Sequence, residues 1–271
     1  MSATHPFDRA LRRRRHARAA AGFAAADFLH AVMVDELHAR VGTVARGFAD
    51  VLDLGGPVPA WPGAVRLALA APGSVIGDED RLPFADASFD LVIAAGGLAT
   101  VGDLPGALAQ ARRVLRPDGL FVAAFAGGMT LADVRADLIA AESAITGGAA
   151  ARTAPMVDAS AAAGLLQRAG FAMPVADVER LTVRYPSLFA LFDDLRAMGA
   201  RSVLASRSPL RRDVLLAAAA RFAARAAPDG KTAVTVELLH LAGWAPGPGQ
   251  PVPLKPGSAT SSLAKALGSR V

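Results

Sequence analysis

Four runs of this chain are apolar almost from end to end: "ADVLDLG" (49–55), "AVRLALA" (64–70), "FDLVIAAG" (89–96) and "LFVAAFAG" (120–127). A further run, "GSVIGD" (73–78), is shorter and weaker. Continuous apolar runs of this length predict strands buried on both faces, hence a parallel sheet covered by helices. Ahead of them, residues 6–46 read as helical. Phe28, Leu29, Val32, Met33, Leu37, Val41 and Val44 recur at helical spacing, with Asp35, Glu36, His38 and Arg40 between them. A helix is expected from about Leu104 to Leu115, stopped at Arg116-Pro117-Asp118-Gly119.

Beyond Gly128 the period becomes helical. Helices are predicted over 130–145 with Thr130 as the cap, over 158–171 closed at Gly170, over 187–199, and over 208–227 with Ser208 as the cap and Pro209 in the first turn. Two strands interrupt them, at 176–185 and 232–245. The expected organisation is a helical lead-in (1–46), an α/β domain (47–245) and a Pro-, Gly- and Ser-rich mobile tail (246–271).

Composition narrows the chemistry. The chain has 271 residues, 53% of them hydrophobic, enough for a full core. It has no cysteine, which excludes disulfides and thiolate chemistry, and its five histidines lack metal-ligand spacing, so no metal site is expected. No uncharged apolar stretch is long enough for a bilayer span, and Asp27 and His30 break the N-terminal apolar run that an export signal would need. The expected location is cytoplasmic. The net charge is +5, with a run at Arg12-Arg13-Arg14-Arg15. No nucleic-acid motif accompanies that run, so it reads as a solvated basic helix end and no nucleic-acid partner is expected. Tyr185, the only tyrosine, is a weak general-acid candidate with no partner to name, and Phe189, Phe192 and Leu195 read as core or lid packing.

Three strings carry further meaning. Asp53-Leu54-Gly55 closes the first predicted strand. "GDEDRLPFADASFDLVIAAGGL" (77–98) and "ALAQARRVLRPDGLFVAAF" (107–125) follow. With these the chain resembles the class I S-adenosylmethionine-dependent methyltransferases. Within them, "FDRAL" (7–11), "DLPGAL" (103–108), "GGMTLADVR" (127–135), "YPSLFALFDDLRAMG" (185–199) and "GSAT" (257–260) are similar to the mitochondrial complex I assembly factors that hydroxylate an arginine. There is likeness also to the biotin-pathway carrier-protein methyltransferases. The resemblance implies a doubly wound, mostly parallel seven-stranded Rossmann-like sheet whose last strand, 232–245, is antiparallel. It implies S-adenosylmethionine as cofactor, held by Asp53, Gly55, Gly56, Asp78 and Glu79, and a protein substrate or complex I subunit as partner. Methyl transfer asks little acid–base work of a protein, so no catalytic residue is named.

The same strings depart from that pattern. Where the family's first turn carries further glycines, this chain has Pro57 and Pro59. Proline fixes φ and lacks an amide donor, the reverse of what close ligand approach needs. Too few residues separate the first two strands for a helical crossover, and the link from the second strand to the third is shorter still. No carboxylate ends the second strand, where the family holds a ribose. The first two crossovers are therefore expected to be truncated and the cofactor loop degenerate. Trp61 is bulky enough to take an adenine's place, and Gly96-Gly97 leaves room for a substrate. Two functions follow: an enzyme transferring a methyl group or hydroxylating an arginine, or a non-catalytic relative kept as a binding or assembly module.

Overall fold

The computed structural model describes residues 6–70 and 74–251. Seven strands form one sheet: β1 (Val51–Leu54), β2 (Val65–Ala68), β3 (Val75–Ile76), β4 (Phe89–Ala95), β5 (Leu115–Gly127), β6 (Ala172–Tyr185) and β7 (Thr232–Trp244). Their order across the sheet is β3-β2-β1-β4-β5-β7-β6. β7 runs antiparallel to both its neighbours, and the pairs β1–β2, β1–β4, β2–β3 and β4–β5 are parallel. The expected doubly wound architecture is thus observed, and the order reverses between β1 and β4. In such sheets, ligands bind beside the carboxyl ends of the strands at that reversal.

Seven α-helices accompany the sheet: α1 (Arg9–Ala20), α2 (Phe28–Gly42), α3 (Leu104–Val114), α4 (Ala132–Thr146), α5 (Ala159–Arg168), α6 (Leu188–Ala197) and α7 (Arg212–Ala224). α2 turns Met33, Leu37 and Val41 onto the face formed by Val51, Leu91, Ile93, Leu120 and Val122. α3 and α5 cover the opposite face, where Leu52, Leu54, Val92 and Phe121 meet Leu108, Val114 and Leu166. Because strand side chains alternate, Leu52 and Leu54 point to α3, while Val51 and Asp53 point to α2. A third cluster joins α4, α6 and α7 to Tyr185 and Val234.

Residues 55–64 join β1 to β2 without a helix or a strand, as the spacing predicts. With that helix missing, α2 supplies the cover that a returning helix gives in a regular crossover.

Several boundaries differ from expectation. The lead-in is not one helix: it breaks at Ala21–Asp27 around a single 3₁₀ turn. Arg116-Pro117-Asp118-Gly119 does not merely stop α3. α3 ends at Val114, and those residues already belong to β5, with Asp118 at φ 62°. Thr130 does not cap α4. Its hydroxyl donates to the Gly127 carbonyl at 2.7 Å and accepts from the Glu237 amide at 2.9 Å, so α4 begins two residues later. α7 starts at Arg212 rather than near Ser208; Arg211 takes the cap position, and its guanidinium pairs with Asp213 in the first turn. β6 starts earlier than predicted, at Ala172, because β7 supplies an antiparallel partner along its whole length. The caps of α5 and α6 are the expected kind: Asp158 accepts from the Ala161 amide and Ser187 from the Ala190 amide. Most of the tail and "GSAT" lie outside the described residues.

Candidate functional site

Asp53 is the last residue but one of β1, fully buried on the α2 side. Its Oδ2 accepts from the Ala60 amide at 2.7 Å, and the Arg66 Nε stands 3.7 Å away. Its Oδ1 has no hydrogen-bond partner. Burial pushes the Asp53 carboxyl above the usual carboxylate range, and the Ala60 amide and Arg66 only partly oppose this. Asp53 therefore folds the proline-bearing loop back onto β1. Arg66 completes that fold by donating to the Gly56 carbonyl.

Gly55 and Gly97 face each other at the ends of β1 and β4. A Cβ on Gly97 would lie 2.9 Å from the Gly55 carbonyl carbon. Gly55 has φ +85°, and a Cβ there would lie 2.5 Å from the Glu79 Oε1. Two backbones and one carboxylate, from the strings at 53–56, 96–97 and 77–80, thus converge at the sheet's reversal. Gly56 is also tightly enclosed, by the Ala95 and Val58 carbonyls and the His30 ring.

The space beside these glycines belongs to Arg12. Its Nη1 donates to Glu79 Oε2 at 2.6 Å, and its Nη2 to Glu79 Oε1 at 2.8 Å and to the Gly97 carbonyl. Its Nε donates to the Thr100 hydroxyl at 3.0 Å. The Arg12 side chain is 4% exposed and that of Glu79 is 0% exposed. Around this pair, Arg9 bridges Asp78 (3.1 Å) and Asp80, and Arg13 donates to Asp78 at 2.8 Å. Asp78, Glu79 and Asp80 are each paired to α1.

Asp78, Glu79, Gly55 and Gly56 come together at the strand ends, while Asp53 stands behind the loop and braces it. The solvated reading of the basic run is corrected: Arg12 is buried and Arg13 pairs with Asp78, because an acid triplet across the sheet end needs neutralising. A signal for this was available. Arg9, Arg12 and Arg13 fall on one helical face, and the three acids at 78–80 have only Arg81 beside them in their own segment. Trp61 does not take an adenine's place at Gly55. It lies against His38 with ring centroids 4.8 Å apart, over the α2 side of the sheet. Gly97 opens no room, since it is pressed against Gly55, while Gly96 is partly exposed. Tyr185 is buried among α4, α6 and α7, where burial and the Asp194 carboxylate hold its phenol well above its ordinary pKa. Phe192 and Leu195 pack in that cluster, while Phe189 is exposed.

A small apolar hollow lies next to the plug, at the ends of β4 and β5. Phe7, Leu98, Val101, Phe125 and Val157 line it, and it holds about 80 Å³. A cavity of ~150 Å³ accommodates benzene, so this one is too small for a nucleoside.

A family model for a methyltransferase domain matches residues 60–123. The zebrafish (Danio rerio) mitochondrial arginine-hydroxylase NDUFAF5 is 38% identical over 192 residues, covering 70% of this chain and 60% of that protein. The chain has the class I methyltransferase fold and is similar in sequence to proteins of that superfamily. The human NDUFAF5 is likewise 38% identical over 192 residues, covering 70% of this chain and 56% of its own length. A malonyl-[acyl-carrier protein] O-methyltransferase of Laribacter hongkongensis (strain HLHK9) is 34% identical over 183 residues, covering 67% of this chain and 59% of that enzyme. The chain thus spans well under two thirds of the length of these relatives. The fold is shared with the YcgJ protein of Bacillus subtilis, at a TM-score of 0.52 and 14% identity, covering 78% of this chain and 97% of that one.

With α1 placed as it is here, no room is left beside Gly55 and Gly97 for S-adenosylmethionine, the cofactor that class I methyltransferases use. Arg12 and Glu79 fill the space against Gly55 and Gly97, Pro57 and Pro59 take the places of further glycines, and β2 ends without a carboxylate.

Proposed function

We propose that this protein serves respiratory complex I as an assembly factor that engages a complex I subunit. The observation that carries the reading is the 38% identity over 192 residues to relatives named arginine-hydroxylase NDUFAF5, in fish and mammals alike. The likeness to carrier-protein methyltransferases is weaker in identity and length. No helix among the described residues is long and apolar enough to cross a membrane. The relatives' names place them in mitochondria, so the proposed place of action is the aqueous compartment where complex I is built, the cytoplasm in a bacterial cell.

One observation bears on whether that role is catalytic: the three carboxylates at the strand ends are neutralised by α1. The test is a strain lacking the gene, complemented with the intact chain. Native gels report complex I assembly, and peptide mass spectra report whether a subunit arginine gains an oxygen, a methylene or nothing. Assembly is expected to fail without the gene. Normal complex I in the deletion strain overturns the proposal, and the peptide masses separate an enzyme from a chaperone.

A further inference from the structure

We propose that α1 is an autoinhibitory latch: the Arg12 guanidinium occupies the nucleoside site at the ends of β1 and β4, and α1 must withdraw before a nucleoside enters. The inference rests on taking those strand ends as the superfamily's nucleoside site, and it is separate from the role in complex I assembly.

Three features distinguish the contact from an ordinary buried ion pair. The first is its place. Arg12 donates to the Gly97 carbonyl and holds the Glu79 carboxylate that stands against Gly55, at the reversal of strand order. The second is its completeness. Nε, Nη1 and Nη2 all donate, to a carboxylate, a main-chain carbonyl and a hydroxyl, so the guanidinium is held as a ligand would be. The third is its attachment. α1 is joined to the domain largely through polar contacts. Arg9 and Arg13 bind Asp78, and Arg15 donates to the Ser202 carbonyl. Phe7 at its start bridges to Leu204, and its buried residues are only Arg12 and Ala19. A helix held by few apolar contacts can leave without opening a core, the property of low-stability elements that move. Withdrawal would expose Asp78, Glu79 and Asp80 together at the strand ends.

The absence of cysteine makes a clean test available. Phe7 and Leu204 face each other across an isolated antiparallel bridge, flanked by Asp8 amide to Val203 carbonyl and Ala205 amide to Pro6 carbonyl bonds. That is the closely spaced, non-hydrogen-bonded kind of pair, with Cα atoms ~4.5 Å apart, which suits a disulfide. In the full chain carrying Phe7→Cys and Leu204→Cys, oxidation ties the start of α1 down and reduction frees it, with every other residue unchanged.

S-adenosylhomocysteine is the probe, followed by calorimetry and by hydrogen exchange over residues 9–20. The reduced form is expected to bind at least tenfold more tightly than the oxidised form, and bound probe is expected to quicken exchange in α1. Equal affinity in the two redox states, or binding without loosening of α1, overturns the latch. Arg12→Gln provides the second arm and should bind the probe more tightly than the unaltered chain. If neither it nor the reduced tether binds, there is no nucleoside site for α1 to guard and the proposal fails. The assembly role is then still judged by the deletion strain.

Discussion

Arg12 and Glu79 meet in a two-pronged ion pair across 67 residues of sequence, with almost no exposure of either side chain. The pair ties the first helix to the end of the sheet and neutralises a carboxylate pressed against a glycine backbone. Removing one partner of a buried pair leaves an uncompensated charge and typically costs ~3–5 kcal/mol, whereas replacing both by apolar groups is often near neutral. Arg12→Ala should therefore destabilise the fold by about 3 kcal/mol or more. The double change Arg12→Met with Glu79→Leu should recover most of the loss. Urea unfolding of the three proteins gives the coupling. A single-mutant cost below about 1 kcal/mol would show that water reaches Glu79.

Gly97→Ala should be among the worst small substitutions in the protein. The added methyl would meet the Gly55 backbone at 2.9–3.0 Å, and neither strand end can move aside cheaply. A loss on the order of 2–4 kcal/mol is expected, the range seen for overpacking and strain. Gly148→Ala, with nothing within 4 Å, should change stability by less than ~1 kcal/mol. Melting temperatures of the two variants decide it, and similar values would refute the close approach of β1 and β4.

Asp53 acts by accepting the Ala60 amide, not by its charge. Asp53→Asn keeps an acceptor and removes a carboxylate that burial disfavours, so its cost at neutral pH should be about 1 kcal/mol or less. Asp53→Ala strands the Ala60 amide and should cost ~1–3 kcal/mol. Chemical denaturation of both variants is the check; a larger loss for Asn than for Ala would give the charge, through Arg66, the main role.

Acid should weaken the fold in a window set by histidine. Burial pushes His30 down to about 4, and Arg66 adds to this while Asp27 opposes it. His16 is likewise pushed down to about 4 by burial and Arg12. Both are neutral in the fold, yet take protons near 6.5 when unfolded. Their contribution is thus complete above 6.5 and is lost as the pH falls from about 6.5 towards 4. For His30 alone the loss is on the order of 2–3 kcal/mol. Glu237 has a depressed carboxyl, held by the Met129 amide and Arg180, and its contribution is lost only below the ordinary glutamate range. Stability of His30→Phe measured between pH 7 and 5 should fall less steeply than that of the unaltered chain. Parallel slopes would mean that His30 titrates normally.

The strands, the two layers of helices and the missing first crossover were legible because each depends on local spacing. A strand buried on both faces must be apolar throughout, and a helix cannot be built from the few proline-rich residues between Gly55 and Ala64. Asp53, Gly55, Gly56, Asp78 and Glu79 were named by the family resemblance and not by local pattern. Local pattern failed at Thr130, whose hydroxyl is claimed by β7, and at Ser208, where α7 waits for Arg211.

By itself, then, the sequence determined which segments are strands, which turn bears the acids, and how little chain is available to cradle a nucleoside. Tertiary structure alone decided what lies against that turn. A charged side chain shows no preference for solvent or interior until its partner is known, and the partner of Arg12 lies in the segment after β3, brought near only by the parallel order β3-β2-β1-β4. Coulomb attraction in a space emptied of water then turns a basic helix face into the filling of the site.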